Sequence, residues 1–483
     1  MESIGWLIAL GFSLLHFLGL LSALHAVLHA RTASGAIAWS ITLVTFPYLG
    51  VPLYWILSRE RFYGYVKLLR AHTLAHHRYR EVEALIENIE EFRIGADSSH
   101  FTEDPESRVL ERLAHLPFTD GNHVELLVDG QETMDKMFEA IDAATEYILI
   151  LFYIIADDEI GRALKDRLVA RAREGVAVYI LYDELGCLSH LTQRYIDDLR
   201  AVGADIHPFY TTRGRLNKFQ YNFRNHRKIT VVDGKMALVG GVNVHDDSMG
   251  SSMFYGNWRD THVYVEGPVV QNIQLVWAED YFWATASLPR LQWKPQSAKS
   301  QNRQALYVPT GPASPLSAGV LFFVHCISCA KNRLWVASPY FIPDQSVVDA
   351  LVLASLRGVD VRIIIPERYD MLIMYLAALS YFPEIEHSGI RIFRYRPGHP
   401  HQKVMLIDDR MAWVGSSNID NRSMRLNFEG NLVVRDEGFC KEVEEMLLAD
   451  LKRSVEVGPE DYYGRSWFYK LGVKVARLFS PIL

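Results

Sequence analysis

Residues 4–28 and 36–57 contain no Asp, Glu, Lys or Arg. Each stretch exceeds the roughly 20 residues that carry a helix across a ~30 Å hydrocarbon core. The first 58 residues are therefore expected to form a transmembrane helical hairpin. His16 fits the first span as a neutral imidazole, and Pro47 and Pro52 are expected to kink the second without preventing it from spanning. Met1–Gly5 lacks Lys and Arg, which argues against a cleaved signal peptide. An excess of positive charge is also missing. Fifty Lys and Arg against 57 Asp and Glu leave a net charge of −7, the wrong sign for a non-specific nucleic-acid binder, so no nucleic-acid partner is expected. Cysteine is scarce, at four in 483 residues. Cys326 and Cys329 form a C-x-x-C with no second pair or nearby His cluster, and they fall in an apolar run of helical character, residues 321–330. They read as core thiols, and reduced cysteines agree with a cytoplasmic domain.

The charge near the amino end is one-sided. The loop between the apolar stretches holds one basic residue, Arg31, whereas residues 58–81 hold Arg59, Arg61, Lys67, Arg70, Arg78 and Arg80. The positive-inside rule then places both termini and everything after the hairpin in the cytoplasm; a re-entrant hairpin that never reaches the far side is the alternative. Residues 59–110 are expected to be a helical juxtamembrane segment and linker, drawn to an anionic leaflet by about 1 kcal/mol per Lys or Arg near the surface. His72, His76 and His77 include an i, i+4 pair, but no acidic or Cys partner completes a metal site, so they read as interfacial and no metal is expected. At the other end, Trp467, Leu471, Val475, Leu478 and Ile482 follow a 3.6-residue period, with Lys470, Lys474 and Arg477 as a basic stripe beside them. Residues 461–483 therefore read as a cationic amphipathic helix suited to a membrane surface, with packing on the globular body as the alternative.

Between these ends one pattern occurs twice. His226-Arg-Lys228-Ile-Thr-Val-Val-Asp233 and His401-Gln-Lys403-Val-Met-Leu-Ile-Asp408 are both H-x-K-x4-D, and each is followed by a Gly (Gly240, Gly415) and, three residues later, an Asn (Asn243, Asn418). The apolar run between Lys and Asp reads as a buried strand. Alternation along the chain puts His and Lys, two apart, on one face. Two such strands meeting would bring two imidazoles and two ammoniums into one pocket, and facing ammoniums call for an anion between them. A phosphodiester fits: the lysines neutralise its oxygens, one His attacks phosphorus, and the other protonates the leaving alcohol. Asp233 and Asp408 read as structural, anchoring the turn that follows each strand.

The repeat extends upstream. Residues 146–157, with Tyr153, align with residues 333–344, with Tyr340; a helical stretch and a second buried strand follow in each copy. Strands alternating with helical patterns indicate α/β units. The two tyrosines line the pocket entrance or belong to the core. Residues 288–315 are polar and proline-dotted and read as the connection between the copies. The expected organisation is a hairpin (1–58), a basic segment (59–110), repeat 1 (111–290), repeat 2 (291–460) and a terminal helix (461–483). Each repeat is expected to be a mixed sheet flanked by helices, with the site where two sheets abut about a pseudo-two-fold.

The duplicated H-x-K-x4-D with its trailing Gly and Asn resembles the phospholipase D superfamily over roughly residues 120–450. That resemblance implies a phosphohistidine on one His, more often the N-terminal one (His226), with the other (His401) as general acid and then base. It also implies a carboxylate downstream of each motif that holds the imidazole's second nitrogen. Glu429 stands at that position in the second copy. In the first copy Phe254 occupies the same offset, and Asp260 is the equivalent, displaced by an insertion around residues 247–253. Ser416 after Gly415 fits the family pattern as a phosphate contact, whereas the first copy has Gly241 there. The layout of hairpin, two motif halves and basic terminal helix resembles the bacterial cardiolipin synthases. This implies a cofactor-free transferase of the bacterial inner membrane that joins two phosphatidylglycerol molecules on the cytoplasmic side. Phosphatidylethanolamine or water as acceptor, a membrane-tethered nuclease, and a non-catalytic lipid-binding scaffold are the alternatives.

Overall fold

The computed structural model describes residues 2–30, 32–58, 61–68, 88–89, 91–92, 104–212, 222–250, 256–368, 370–458 and 460–483. The chain divides into two compact units, residues 1–65 with 211–223, and residues 66–210 with 224–483. Arg59, Arg70, Arg78, Arg80 and the histidines at 72, 76 and 77 lie outside the described residues; Arg61 and Lys67 are exposed.

The first unit contains the helices Glu2–His29, Ala33–Thr45 and Pro47–Leu57. The second apolar stretch is not the single kinked span expected. Pro47 has no N–H to continue a ladder and restricts the residue before it. Phe46 accordingly leaves the helical region (φ −134°, ψ 59°), and Pro47 starts a new helix. Segments of 13 and 11 residues result. At 1.5 Å per residue each is about 20 Å or less. Among the described residues, one helix is long and apolar enough to cross a membrane, Ala9–His29. The three helices pack through Ala23, Ala26, Leu43 and Tyr54. The Tyr54 hydroxyl pairs with His25 Nδ1 (2.7 Å), and Trp55 Nε1 donates to Ser22 Oγ (3.1 Å).

The second unit is built on one continuous mixed sheet, where two abutting sheets were expected. From one edge, the order runs Ser454–Glu456, Arg391–Tyr395, Asp360–Pro366, Arg333–Ala337, Val404–Ile407, Met411–Gly415, Asn427–Arg435 and Arg303–Thr310. It continues through Thr119–Val128, Thr261–Glu266, Met236–Gly240, Ile229–Val232, Tyr147–Phe152 and Ala177–Asp183 to Asp205–Phe209. The junction is the antiparallel pair Thr119–Val128 and Arg303–Thr310. The latter lies inside the stretch read as a connection. Pro309 and Pro312 disguise it, yet it pairs along its length with Asn427–Arg435 (Gln304 opposite Arg435, Thr310 opposite Glu429).

Apolar clusters cover both faces. A central one joins both halves of the sheet to the helices Val269–Thr285 and Glu437–Lys452. Two outer clusters lie under the remaining helices of each half. Leu110, Ala114, Leu116 and Phe118, assigned from sequence to the start of the first repeat or just before it, pack in the outer cluster of the second half. All four cysteines are buried.

The motif strands Ile229–Val232 and Val404–Ile407 are fully buried and interior. Asp233 and Asp408 close them in the left-handed region (φ 52° and 54°). Asp408 pairs with Arg410 in the turn that follows (3.6 Å), but the hydrogen bonds of both carboxylates run mainly to the neighbouring strand. Asp233 accepts from Thr145 N and Oγ1, Glu146 N and Tyr147 N (2.7–2.9 Å), and Asp408 from the backbone N–H groups of Lys331, Asn332 and Arg333 (2.8–3.3 Å). Each Asp thus fixes the entry of the neighbouring strand. Burial works against these carboxylates, but the hydrogen bonds outweigh it and hold both pKa values below the usual range.

Asp233→Asn tolerates the left-handed backbone yet replaces an acceptor oxygen by a donor. It is expected to cost about 2–4 kcal/mol at pH 7, read as a lowered unfolding midpoint of the detergent-solubilised full chain. A depressed carboxylate pKa stabilises above the unfolded value of about 4 and is lost as pH falls through the folded one. The deficit of the variant should therefore shrink below pH ~4.

Candidate active site

Two short parallel ladders build the centre. Arg224–Asn225 pairs with Asn427–Phe428, and Gly398–Pro400 pairs with Asn257–Arg259. In the first, Asn225 lies opposite Phe428, so the next residues along, His226 and Glu429, face each other. In the second, Pro400 lies opposite Arg259, so His401 faces Asp260. Backbone bonds extend both pairings: His226 N–H donates to Phe428 O (2.9 Å) and His401 N–H to Arg259 O (2.7 Å).

The carboxylates are consequently crossed. Sequence offsets tied Asp260 to the first motif and Glu429 to the second. In the structure His226 Nδ1 lies 3.0 Å from Glu429 Oε2, and His401 Nδ1 lies 2.7 Å from Asp260 Oδ2. Each histidine takes its partner from the other half of the chain. Nδ1 is the paired nitrogen in both rings, which leaves each Nε2 for chemistry.

The lysines stand where the strand alternation places them. Lys228 Nζ donates to the His226 carbonyl oxygen (2.7 Å), and Lys403 Nζ to that of His401. Both side chains are buried, and desolvation pushes the Lys228 ammonium down to about 7 and Lys403 to about 8. Burial also lowers both histidines. At His226, Glu429 opposes the shift; His401 is driven well below its ordinary value by burial, Lys403 and His399. The two carboxylates move apart. Burial raises Asp260, whereas at Glu429 the burial effect is outweighed by His226, Lys228 and Ser416, and its pKa falls.

Ser416 does not offer a free hydroxyl. Its Oγ donates to Glu429 Oε2 (2.5 Å) and accepts from Gly430 N–H (3.0 Å), which fixes the carboxylate rather than an incoming phosphate. Gly241, its counterpart, is required to be small because a side chain there would collide with the Asp260 carboxylate. The Ser/Gly difference between the copies thus accompanies the Glu/Asp difference. Asn243 Oδ1 accepts from Ile154 N–H (3.3 Å), while Asn418 is buried with its Oδ1 lacking a protein partner.

Sequence reasoning missed several neighbours. The Trp258 ring lies 4.9 Å from that of His401, and His399 lies 6.0 Å from it. Only proximity to the H-x-K motif, two residues away, could have flagged His399. Of the two tyrosines singled out from sequence, Tyr153 meets His226 edge-on at 4.9 Å, and Tyr340 donates to Asp370 (2.6 Å). Below the pocket, Arg227 pairs with Asp280 (2.6 Å) and donates to Glu429 O (3.0 Å). Arg259 pairs with Asp450 and Asp129 (3.0 Å each). These ion pairs brace both ladders from the helices behind them, and no local spacing announces them.

The terminal segment forms the helix Trp467–Arg477. Trp467 and Lys474 are exposed and Lys470 is half-buried. Arg477 leaves the expected basic stripe: it pairs with Glu384 (2.8 Å) and donates to Ser380 O (3.3 Å). The helix therefore docks on the body by one face.

The family described as cardiolipin synthase, PLD-like domain matches residues 137–264 and 323–451. A protein called cardiolipin synthase A from Pseudomonas fluorescens (strain SBW25) is 45% identical over 478 residues, 99% of this chain and 98% of the relative. The cardiolipin synthase A of Pseudomonas aeruginosa (strain LESB58) is 45% identical over 467 residues, 96% and 94% of the two chains. Among solved structures, a phosphatidylserine synthase from Haemophilus influenzae Rd KW20 shares the fold at TM-score 0.60 and 17% identity, covering 79% of this chain and 100% of that one. With the match to the PLD-like domain falling on both motif-bearing segments and the relatives aligned almost end to end, the chain belongs to the cardiolipin synthase family.

Proposed function

We propose that this protein transfers a phosphatidyl group from one phosphatidylglycerol to the terminal hydroxyl of another, giving cardiolipin and glycerol. The observation that carries the reading is the crossed pair of imidazole–carboxylate contacts with two buried lysines between them. We read the two halves of the sheet as phospholipase D-like repeats about a pseudo-two-fold, since the strands of one half recur in the same order in the other.

His226 Nε2 attacks phosphorus of the donor lipid; the bond to the glycerol oxygen breaks, and His401 supplies the proton that this oxygen needs. The second phosphatidylglycerol then enters. His401 takes the proton from its terminal hydroxyl, the new P–O bond forms, and the P–N bond to His226 breaks. Two in-line displacements retain configuration at phosphorus. Lys228 and Lys403 neutralise the non-bridging oxygens as charge builds on them. The divergence of the carboxylates supports these roles. An ionised Glu429 raises the nucleophilicity of His226, while Asp260, which holds its proton more readily, keeps a proton available to the His401 pair. Asp233 and Asp408 set the strands, Ser416 orients Glu429, and Asn243 and Asn418 support the pocket.

The apolar helix Ala9–His29 anchors the protein. We place the broken second stretch in the same bilayer, as the return arm of the hairpin, and the catalytic unit on the cytoplasmic side of a bacterial inner membrane, where Arg61 and Lys67 meet anionic headgroups. High local lipid concentration and a dry, membrane-facing pocket favour the lipid acceptor over water.

Labelled phosphatidylglycerol in bilayers is expected to give cardiolipin in excess over phosphatidic acid, and His226→Ala and His401→Ala each to lose at least 10²-fold in rate. Dominant phosphatidic acid at high lipid density would make the protein a phospholipase D, and cardiolipin only with added phosphatidylethanolamine would change the acceptor.

A p-nitrophenyl phosphodiester removes the need for a general acid in the first step. With it, Asp260→Asn should retain the burst of p-nitrophenol and accumulate label on His226, whereas Glu429→Gln should lose the burst by on the order of 10²-fold. The reverse pattern would exchange the roles of the two histidines.

The free site requires both ammoniums charged to receive an anion. With Lys228 near 7 and Lys403 near 8, the protonated fraction drops as pH rises through that range. kcat/KM for phosphatidylglycerol should therefore fall between pH 7 and 9. kcat should fall less, because bound phosphate favours the charged lysines.

A further inference from the structure

A two-chain phospholipid reacts at its headgroup while its tails stay in the bilayer, so the pocket mouth must meet the membrane at an apolar surface. The helix Leu372–Leu379 lies beside the helix Trp467–Arg477. Tyr375 bonds to Tyr469 near one end and Arg477 to the Ser380 carbonyl near the other, so the two run side by side in the same direction. Val473 and Ala476 are buried, in the same apolar cluster as Met374, Ala377, Ala378 and Leu379. The outward side is left apolar: Met371 is 54% exposed, Leu372 72%, Trp467 66%, Phe468 78%, Leu471 46% and Leu478 76%. Single exposed apolar residues are ordinary, but a cluster on two packed helices marks a contact surface.

Its position ties it to the site. The Arg368 carbonyl contacts the His399 ring at 3.3 Å, and Asp370 accepts from Tyr340; His399 in turn is 6.0 Å from His401. Leu372 is four residues beyond Arg368, a reach of at most roughly 14 Å. The parallel course of the two helices places Trp467 and Phe468 at this same end. The surface also has a sign. From Gly464 to Leu483 the chain holds no Asp or Glu, and Arg465, Lys470 and Lys474 give it a basic sign beyond Arg477, which is paired with Glu384. Trp and Lys around an apolar face suit the headgroup boundary of an anionic leaflet.

We propose that the helices Leu372–Leu379 and Trp467–Arg477 form a bilayer-docking lip at the mouth of the catalytic pocket, which seats that mouth in the leaflet from which lipid is drawn. The inference rests on the reading of phosphatidylglycerol as substrate. The lip acts on access, not on bond making. Removing it leaves the chemistry of a lipid that reaches the site through water.

Two measurements test this on the full-length protein. In vesicles of phosphatidylglycerol and acyl-chain-brominated phosphatidylcholine, the fluorescence difference between the wild type and Trp467→Phe should be quenched relative to unbrominated vesicles. An unquenched Trp467 overturns the lip. The double variant Leu372→Asp/Leu478→Asp should lose tenfold or more of its rate on long-chain phosphatidylglycerol in vesicles and stay within twofold of wild type on monomeric dihexanoyl phosphatidylglycerol. An equal loss on both substrates, or no loss on either, overturns it as well. If the wild type makes cardiolipin from neither substrate, the function reading falls, and the quenching still decides whether this surface enters the bilayer.

Discussion

The imidazoles of His226 and His401 are each held by a carboxylate that the other half of the chain supplies, and the rest of the unit serves that exchange. Two short parallel ladders set the register, and a slip of one residue in either would turn the facing side chain away from its partner. The buried ion pairs Arg227–Asp280 and Arg259–Asp450 hold those ladders from the helices Val269–Thr285 and Glu437–Lys452. The continuous sheet, joined at Thr119–Val128 and Arg303–Thr310, keeps the two halves from separating. An unpaired buried imidazole would be a poor nucleophile and an ill-oriented acid; the crossing gives both a defined Nδ1 contact and a free Nε2.

The electrostatics follow from the same enclosure. Two ammoniums in a dry pocket are costly, and their lowered pKa values express that cost. The carboxylates Glu429 and Asp260 offset part of it, and an anionic phosphodiester would offset more. The site is thus built to be less comfortable empty than filled by an anion. The asymmetry between the halves is local and steric. A Glu with Ser416 beside it is a fixed acceptor with a lowered pKa, whereas an Asp over Gly241 is shorter, lacks that hydroxyl and holds its proton more readily.

Much of this was legible in the sequence. The H-x-K-x4-D strands and the convergence of His226, Lys228, His401 and Lys403 came from residue type and period, and the identities of Asp260 and Glu429 from the resemblance to the phospholipase D superfamily. The partner of each carboxylate did not, because offsets along the chain carry no information about register between halves. Arg303–Thr310 was hidden by prolines that usually mark loops, and a strand whose neighbours supply its remaining hydrogen bonds tolerates one. The second apolar stretch had the length of a span, but length does not report the backbone break at Phe46. Arg477 looked like a membrane-facing charge because its partner, Glu384, lies far off in sequence.

The crossing also bears on how the chain is made. His226 precedes Glu429 by 203 residues. During synthesis His226 is therefore in place well before the carboxylate that faces its Nδ1 exists. Until the last strands of the sheet are added, the imidazole lacks the carboxylate that aims it. The His226–Glu429 contact is thus one that only a nearly finished chain can make.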